Sequence, residues 1–290
     1  MMYYIYLAAS FVGDLFVTLE NRLVESLHDI WRPVMLFPLL FSCCIVIHAI
    51  SISIMSLFAG KYKDGKNMNN FFRKVTLESI DLFLHIMRAR IHIDGEEIVP
   101  KDKKFMLIGN HLSIFDPMIS MLMFSQNDLG FISKKENISI PFGGRLMLAS
   151  GCISLDRRNN RSAVGTTKEA ASRISDGIES VGIYPEGGIN KTDEVLLPFH
   201  SGSFKIAKES GSPIVVMTVR NTEKLCRRFL FAATDVYIDI IRVVQPYEYE
   251  SMKTKDISNM VWSDMYEHLC TKYYTDTEIE NEPESQQAAC

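Results

Sequence analysis

The chain has no excess of charge of either sign. Its 31 Lys and Arg stand against 35 Asp and Glu, a net charge of −4, which gives no footing for nucleic acid as a partner. It has no cysteine spacing of the zinc-site kind. Cys43, Cys44, Cys152, Cys226, Cys270 and Cys290 are scattered, two of them in an apolar run, and read as reduced packing cysteines or incidental thiols. Cys290 is the last residue and so is not the cysteine of a prenylation box. No Gly-X-Ser-X-Gly turn is present to carry a serine nucleophile. No clustered carboxylates with a second histidine mark a metal site. The start lacks the basic residues and the small-residue cleavage site of a secretory signal, and no internal repeat occurs.

What the chain does have is apolar sequence: 47% of its 290 residues are hydrophobic. Pro33 to Ala59 carries no formal charge between Arg32 and Lys61 and has only His48 as a titratable group. It is long enough to span a bilayer, which takes roughly 20 apolar residues. Met1 to Leu19 is also apolar but contains Asp14, and reads as a second span, an interfacial helix or an uncleaved anchor. The bland alternative is a buried helical hairpin of a soluble protein. Lys61, Lys63, Lys66, Arg73 and Lys74 follow the strong span, while the short stretch before it mixes Glu20, Glu25 and Asp29 with Arg22 and Arg32. The positive-inside rule then puts the body of the protein on the cytoplasmic face of a membrane. The glycosylation triplets at Asn137, Asn160 and Asn190 would be accidental there.

Beyond the anchor, short apolar runs alternate with helical stretches. Strands are predicted at Arg90–Asp94, Phe105–Gly109, Gly130–Ser133, Cys152–Leu155, Val181–Tyr184, Ile214–Val219 and Val236–Val244, the last with the character of an antiparallel edge strand. Helices are predicted near Pro117–Phe124, Phe142–Ala149, Ala163–Ile174, Ser203–Ser210 and Lys255–Lys272. This alternation predicts an α/β fold, a mostly parallel sheet flanked by helices, preceded by an N-terminal apolar helical membrane anchor. The expected organisation is an anchor with a basic linker over 1–74, a catalytic domain over 75–274, and an acidic, disordered tail over 275–290.

Polar clusters fall where these strands end. Asn110-His111 follows the second strand and Lys134-Lys135 the third. Asp156-Arg157-Arg158 follows the fourth, and Pro185-Glu186-Gly187-Gly188 the fifth. In open α/β sheets ligands bind beyond the carboxyl ends of the strands, so parallel strands would bring these groups to one edge. His111 with Asp116 can act as a base and its orienter. Arg157, Lys134 or Lys135 can hold a phosphate, with a guanidinium offering a bidentate fork. Gly187 and Gly188 permit a tight turn whose N–H groups would face outward to an oxyanion. Together these suit acyl transfer from an activated thioester to an alcohol on a phosphate-bearing substrate.

These residues resemble the 1-acyl-glycerol-3-phosphate acyltransferase family of membrane glycerolipid acyltransferases, over roughly Phe105 to Val219. The family's Asn-His-X-Ser-X-X-Asp is met by Asn110, His111, Ser113 and Asp116. Its second motif is similar to Lys135-Glu136, Pro141, Gly144, Gly151 and Asp156-Arg157. Its Phe-Pro-Glu-Gly-Thr-Arg-Ser stands here as Tyr184-Pro185-Glu186-Gly187-Gly188-Ile189-Asn190, followed by Phe199-His200-Ser201-Gly202, with His200 in place of Lys. Its last motif stands as Ser212-Pro213-Ile214-Val215-Val216-Met217, with Val216 in place of Pro. The resemblance implies transfer of a fatty acyl group to lysophosphatidate, giving phosphatidate. His111 would be the base, Asp116 its partner and Arg157 a phosphate ligand, while Glu186 and Gly187 would shape the acceptor site. Asn110, Ser113, Lys135, Gly188 and Pro213 would stand on the substrate side. The family uses no metal or bound cofactor in catalysis. Its partners are a lysophospholipid acceptor, acyl-CoA or acyl carrier protein, and membrane lipid. The third motif lacks its Thr and Arg, replaced by Gly188 and Ile189, and Lys191 is the cation that would stand in. That departure opens two alternatives: a different lysolipid or amino-alcohol lipid as acceptor, or a catalytically silent protein that binds lipid or acyl carrier.

Overall fold

The computed structural model describes residues 1–59, 68–156, 158, 160–229 and 231–281, with Asn160 and 273–281 described by backbone alone. In chain order the elements are α1 (Met2–Glu20), α2 (Trp31–Phe58), α3 (Asn70–Ile86), β1 (Ala89–Asp94), β2 (Met106–Gly109), α4 (Phe115–Met123), β3 (Gly130–Lys134), α5 (Lys135–Ile138) and α6 (Gly143–Ala149). There follow β4 (Ile153–Leu155), α7 (Asn160–Ser175), β5 (Val181–Ile183), α8 (Lys205–Ser210), β6 (Ile214–Arg220), α9 (Leu225–Arg228), β7 (Thr234–Val244), α10 (Pro246–Tyr249) and α11 (Thr254–Asn281). Every predicted strand is present, displaced by at most two residues at either end. Contacts divide the chain into two compact units, Met1–Ala89 with Ser133–Ser154, and Arg90–Ile132 with the chain from Leu155 onward.

The first unit is built on α1, α2 and α3. At 1.5 Å per residue, α1 is about 28 Å long and α2 about 42 Å, against a hydrocarbon core of about 30 Å. Both are apolar enough to cross a membrane, and almost nothing on them is buried by protein. The residues they do bury are serines, Ser10 on α1 and Ser56 on α2, while Phe11, Phe16, Leu39 and Ile47 point outward. Small residues inward and large apolar residues outward is the packing that lipid favours, because small side chains let helices approach closely. The hairpin is therefore not the buried core of a soluble protein. Tyr6 Oη and His48 Nδ1 lie 2.8 Å apart, joining α1 to α2, and His48 Nε2 lies 3.3 Å from Ser79 Oγ on α3. Those polar atoms are satisfied among the helices, as an apolar setting requires.

Helix α3 corrects the expected boundary between 74 and 75, which falls inside it. Asn69 starts the helix by accepting from the N–H groups of Phe71 (3.0 Å) and Phe72 (3.2 Å), so the element begins where the cap sits. Arg73, counted above among the cations flanking the span, is buried and donates to the Ser150 carbonyl at 2.9 Å. Lys61, Lys63 and Lys66 lie outside the described residues.

The sheet has the order β1-β7-β6-β2-β5-β3-β4. β2 runs parallel to both β5 and β6, with Met106 opposite Val181 and Ile214, and β3 runs parallel to β5. β2 and β6 are buried along their whole length, as continuous apolar runs in a covered parallel sheet must be. β7 is antiparallel to β6, with a bulge between Val216 and Met217. It is not the edge strand the sequence suggested. β1 lies outside it, with Arg90, His92 and Asp94 on a largely exposed strand, and charge suits a strand left unpaired on one side. At Gly95, φ is +77° and a Cβ would collide with the Ile240 carbonyl oxygen, so only glycine turns the chain out of β1. Helix α11 lays Ile257, Val261, Met265 and Leu269 into the core at four-residue spacing, all fully buried. It also continues to Asn281, so residues 275–281 are helical where a disordered tail was expected. Extending a formed helix costs little per residue, and its glutamates are good helix formers. Residues 282–290 lie outside the described residues.

Phe105, fully buried at the entry to β2, should be costly to truncate: Phe105→Ala is expected to lose about 3–5 kcal/mol, measured as a lowered unfolding midpoint in detergent.

Candidate functional site

The parallel strands end on one edge, and β2 delivers the first polar residues to it. Asn110 is buried and faces β6, not substrate. Its Oδ1 accepts from Val219 N–H at 2.7 Å and its Nδ2 donates to the Val219 carbonyl at 2.9 Å. The side chain thus replaces one rung of the β2–β6 ladder and holds the strand end where the chain leaves it. Next in the chain, His111 Nδ1 lies 2.8 Å from Asp116 Oδ2. A carboxylate only accepts, so Nδ1 carries the proton and Nε2 presents a lone pair. Nε2 has no hydrogen-bond partner among the described residues, and the ring keeps 17% of its surface exposed.

Asp116 is fully buried at the start of α4. Besides His111, Oδ2 accepts from the N–H groups of Leu112 (2.7 Å) and Ser113 (2.8 Å), and Oδ1 accepts from Thr222 Oγ1. Backbone donors converging near a helix N-terminus make a natural seat for an anion. Ser113 serves this turn as well, its Oγ accepting from Phe115 N–H at 3.0 Å. Asn110 and Ser113, expected on the substrate side, therefore hold the loop. Thr222, just past β6, had no signal in the sequence: it lies 106 positions from Asp116, and only the parallel register of β2 and β6 brings it there.

Glu186 is a second brace. Its Oε1 accepts from the backbone N–H of His111 at 2.7 Å and its Oε2 from Leu197 N–H at 3.0 Å. Burial pushes its carboxyl above the ordinary value, against the opposing pull of those two donors and of His111. Each oxygen thus braces a backbone N–H, one of them that of His111. Gly187 is likewise not an outward donor. At φ +82° its N–H closes the turn onto the Tyr184 carbonyl at 3.0 Å, a left-handed conformation that favours glycine. Gly188 follows, half-buried, with an N–H that makes no hydrogen bond among the described residues. Asn190 donates its N–H to the His111 carbonyl at 2.7 Å, which places the exposed Lys191 on the rim of the site.

Other expected residues lie elsewhere. Pro213 precedes β6 and its carbonyl accepts from Met106 N–H at 3.0 Å, at the opposite end of the strands from His111. Four positions before Met217, the partner of Gly109, it stands about 13 Å along the strand from the site edge. It is a strand-entry residue, not a substrate contact. Lys135 opens α5 in the first unit. Arg157 lies outside the described residues.

Three comparisons bear on this geometry. The family model described as Acyltransferase matches residues 90–220. The chain is 30% identical over 176 residues to the 1-acyl-sn-glycerol-3-phosphate acyltransferase of Borreliella burgdorferi, covering 59% of this chain and 69% of that protein. It is 30% identical over 179 residues to the enzyme of the same name from Saccharomyces cerevisiae, covering 60% of this chain and 58% of the relative. A third, from Haemophilus influenzae, is 35% identical over 131 residues, 44% of this chain and 54% of its own length. The chain thus spans little more than half of the latter two relatives. In fold, it is similar to the crystal structure of the 1-acyl-sn-glycerophosphate (LPA) acyltransferase PlsC of Thermotoga maritima. The TM-score is 0.55 at 20% identity, over 82% of this chain and 98% of that one.

Removing the Asn110 clasp would strand a buried N–H and a buried carbonyl on Val219. Asn110→Ala should therefore cost about 2 kcal/mol or more, read as a lower thermal midpoint, whereas a solvent-facing Asn110 would leave the midpoint unchanged.

Proposed function

The chain belongs to the acyltransferase family that includes the 1-acyl-sn-glycerol-3-phosphate acyltransferases, and on that premise we propose that it moves a fatty acyl group from a thioester to the free hydroxyl of lysophosphatidate, forming phosphatidate. The observation that carries this reading is the bare Nε2 of His111, aligned by the 2.8 Å bond from Nδ1 to a buried carboxylate. Nε2 takes the proton of the acceptor hydroxyl as that oxygen attacks the thioester carbonyl. The tetrahedral oxyanion then collapses, the carbon–sulfur bond breaks, and the leaving thiolate recovers the proton from the imidazolium. No enzyme nucleophile is consumed and no metal or bound cofactor takes part. Asp116 stays bonded to its four donors throughout and holds the ring in place.

The donor is a thioester on a phosphopantetheine arm, as in acyl-CoA or acyl carrier protein. Gly188 N–H is the backbone donor left to meet the oxyanion. Lys191 on the rim, with Arg157, supplies cations for the acceptor phosphate. With α1 and α2 in the bilayer, the catalytic groups meet their lipid at the membrane, on the cytoplasmic face by the positive-inside rule. Ile189 in place of the family's arginine favours one further reading: an acceptor with a different headgroup.

The test is acyl transfer by detergent-solubilised protein, offering lysophosphatidate beside neutral and zwitterionic lysolipids with both thioester donors. His111→Ala and Asp116→Asn are each expected to lower turnover about 100- to 10,000-fold while the protein stays folded and membrane-extracted. Wild-type rates in either variant would remove the base from the mechanism. Product only with another lysolipid would assign the altered third motif to acceptor choice.

A further inference from the structure

The imidazole of His111 is held on a second side by something its hydrogen bonds do not explain. The Tyr184 ring stacks on it, with centroids 4.3 Å apart and planes 9° from parallel. Phe131 stacks on Tyr184 in turn, its centroid 5.2 Å from that of Tyr184 and its plane 11° from parallel. The three rings come from three neighbouring strands of the sheet. His111 follows β2, Tyr184 follows β5, and Phe131 lies on β3, in the order in which those strands are paired.

Glycines make room for the stack. At Gly182 on β5, three atoms of the Phe131 ring would lie within 2.8 Å of a Cβ, closer than real side chains approach. At Gly109, the end of β2, a Cβ would lie 2.9 Å from Met217 Cε and 3.2 Å from Tyr184 Cε1. Each glycine stands two positions before a ring residue, Gly109 before His111 and Gly182 before Tyr184. In extended chain that spacing puts both on one face of the sheet. A ring therefore fills each slot that a missing side chain leaves.

The Tyr184 hydroxyl does not account for this residue. It is buried beside Asp116 and Ser120, and although Ser120 is close enough to influence it, no hydrogen bond of ordinary geometry reaches it among the described residues. A buried hydroxyl so weakly satisfied stabilises little, whereas the ring is stacked against both His111 and Phe131.

We propose that Tyr184, backed by Phe131, is a positioning residue for the base: the three-ring stack seated on Gly109 and Gly182 fixes the plane of the His111 imidazole so that Nε2 points at the acceptor hydroxyl. The bond to Asp116 fixes one atom of that ring but leaves rotation about the Nδ1–Oδ2 line, and a stacked face removes it. The same face favours the imidazolium formed during turnover, since a cation is attracted to an aromatic π surface.

This rests on the reading of His111 as the base, and the experiment separates the two. Steady-state kinetics with lysophosphatidate and acyl-CoA would be measured on the full chain in detergent for wild type, His111→Ala, Tyr184→Phe, Tyr184→Leu, Gly182→Ala and Gly182→Ala/Phe131→Leu. Tyr184→Leu is expected to lower kcat about tenfold to a hundredfold, the scale on which misplacing a reacting group by about an ångström acts, with the acceptor KM within about twofold. Tyr184→Phe should exceed Tyr184→Leu by about tenfold, because it restores the ring alone. Gly182→Ala should lower kcat by wedging the stack, and the smaller side chain of the double variant should recover part of it. The proposal fails if Tyr184→Leu keeps the wild-type kcat, or if Tyr184→Phe is as impaired as Tyr184→Leu, while His111→Ala is inactive. Activity retained in His111→Ala would instead overturn the base reading itself. Gly182→Ala is a wedge in a central strand, so should it not fold, the Tyr184 pair decides alone.

Discussion

A carboxylate buried without a counter-cation is the constraint on which the catalytic edge depends. Asp116 has no surface of its own, and an isolated buried charge is costly unless hydrogen bonds replace the water it has lost. Its donors come from two parts of the chain: the imidazole and two backbone N–H groups of the loop after β2, and the Thr222 hydroxyl beyond β6. Satisfying them together requires that β2 end where it does, that the loop turn tightly, and that β6 lie alongside in register. The geometry of the His111 ring is thus a consequence of solvating an anion inside a protein.

Around that anion the same residue is braced repeatedly. His111 offers its ring to Asp116, its N–H to Glu186 and its carbonyl to Asn190. Asn110, immediately before it, is clasped to β6. A general base must hold one direction for its lone pair to be useful, and each of these contacts removes a way for the ring to move. That explains why so many polar residues of the motif turn out to face the protein. Asn110, Ser113, Glu186 and Gly187 occupy the loop's own donors and acceptors, while Nε2 of His111 keeps no hydrogen-bond partner among the described residues.

The packing of the first unit suits a different solvent. Its long helices expose their large apolar side chains and keep serines and the Tyr6–His48–Ser79 chain inward. In water that arrangement would be inverted; in lipid it costs nothing, because hydrocarbon competes with hydrocarbon and only the polar atoms need partners.

Much of this was legible in the residues. Apolar runs of four to seven residues, bounded by turn formers, mark strands such as Ile214–Arg220 whatever surrounds them, because burial on both faces leaves no room for polar residues. The pairing of His111 with Asp116 was also legible, since a strand end and a helix start five positions apart can hardly avoid each other. Other features were not written locally. Helix α3 was missed because its start is set by one asparagine cap, and β7 was placed at the edge because nothing in its own residues says that β1 pairs beyond it. Pro213 matched a motif yet sits at the far end of its strand, since a motif gives order along the chain and not position across a sheet. The sequence by itself determined the layered α/β fold, the two long apolar N-terminal helices and the pairing of His111 with Asp116. Only the tertiary structure decided which polar side chains of the motifs are spent on the protein itself, because the partners that hold them, Val219, Leu197 and Thr222, are brought there by the fold and not by proximity in sequence.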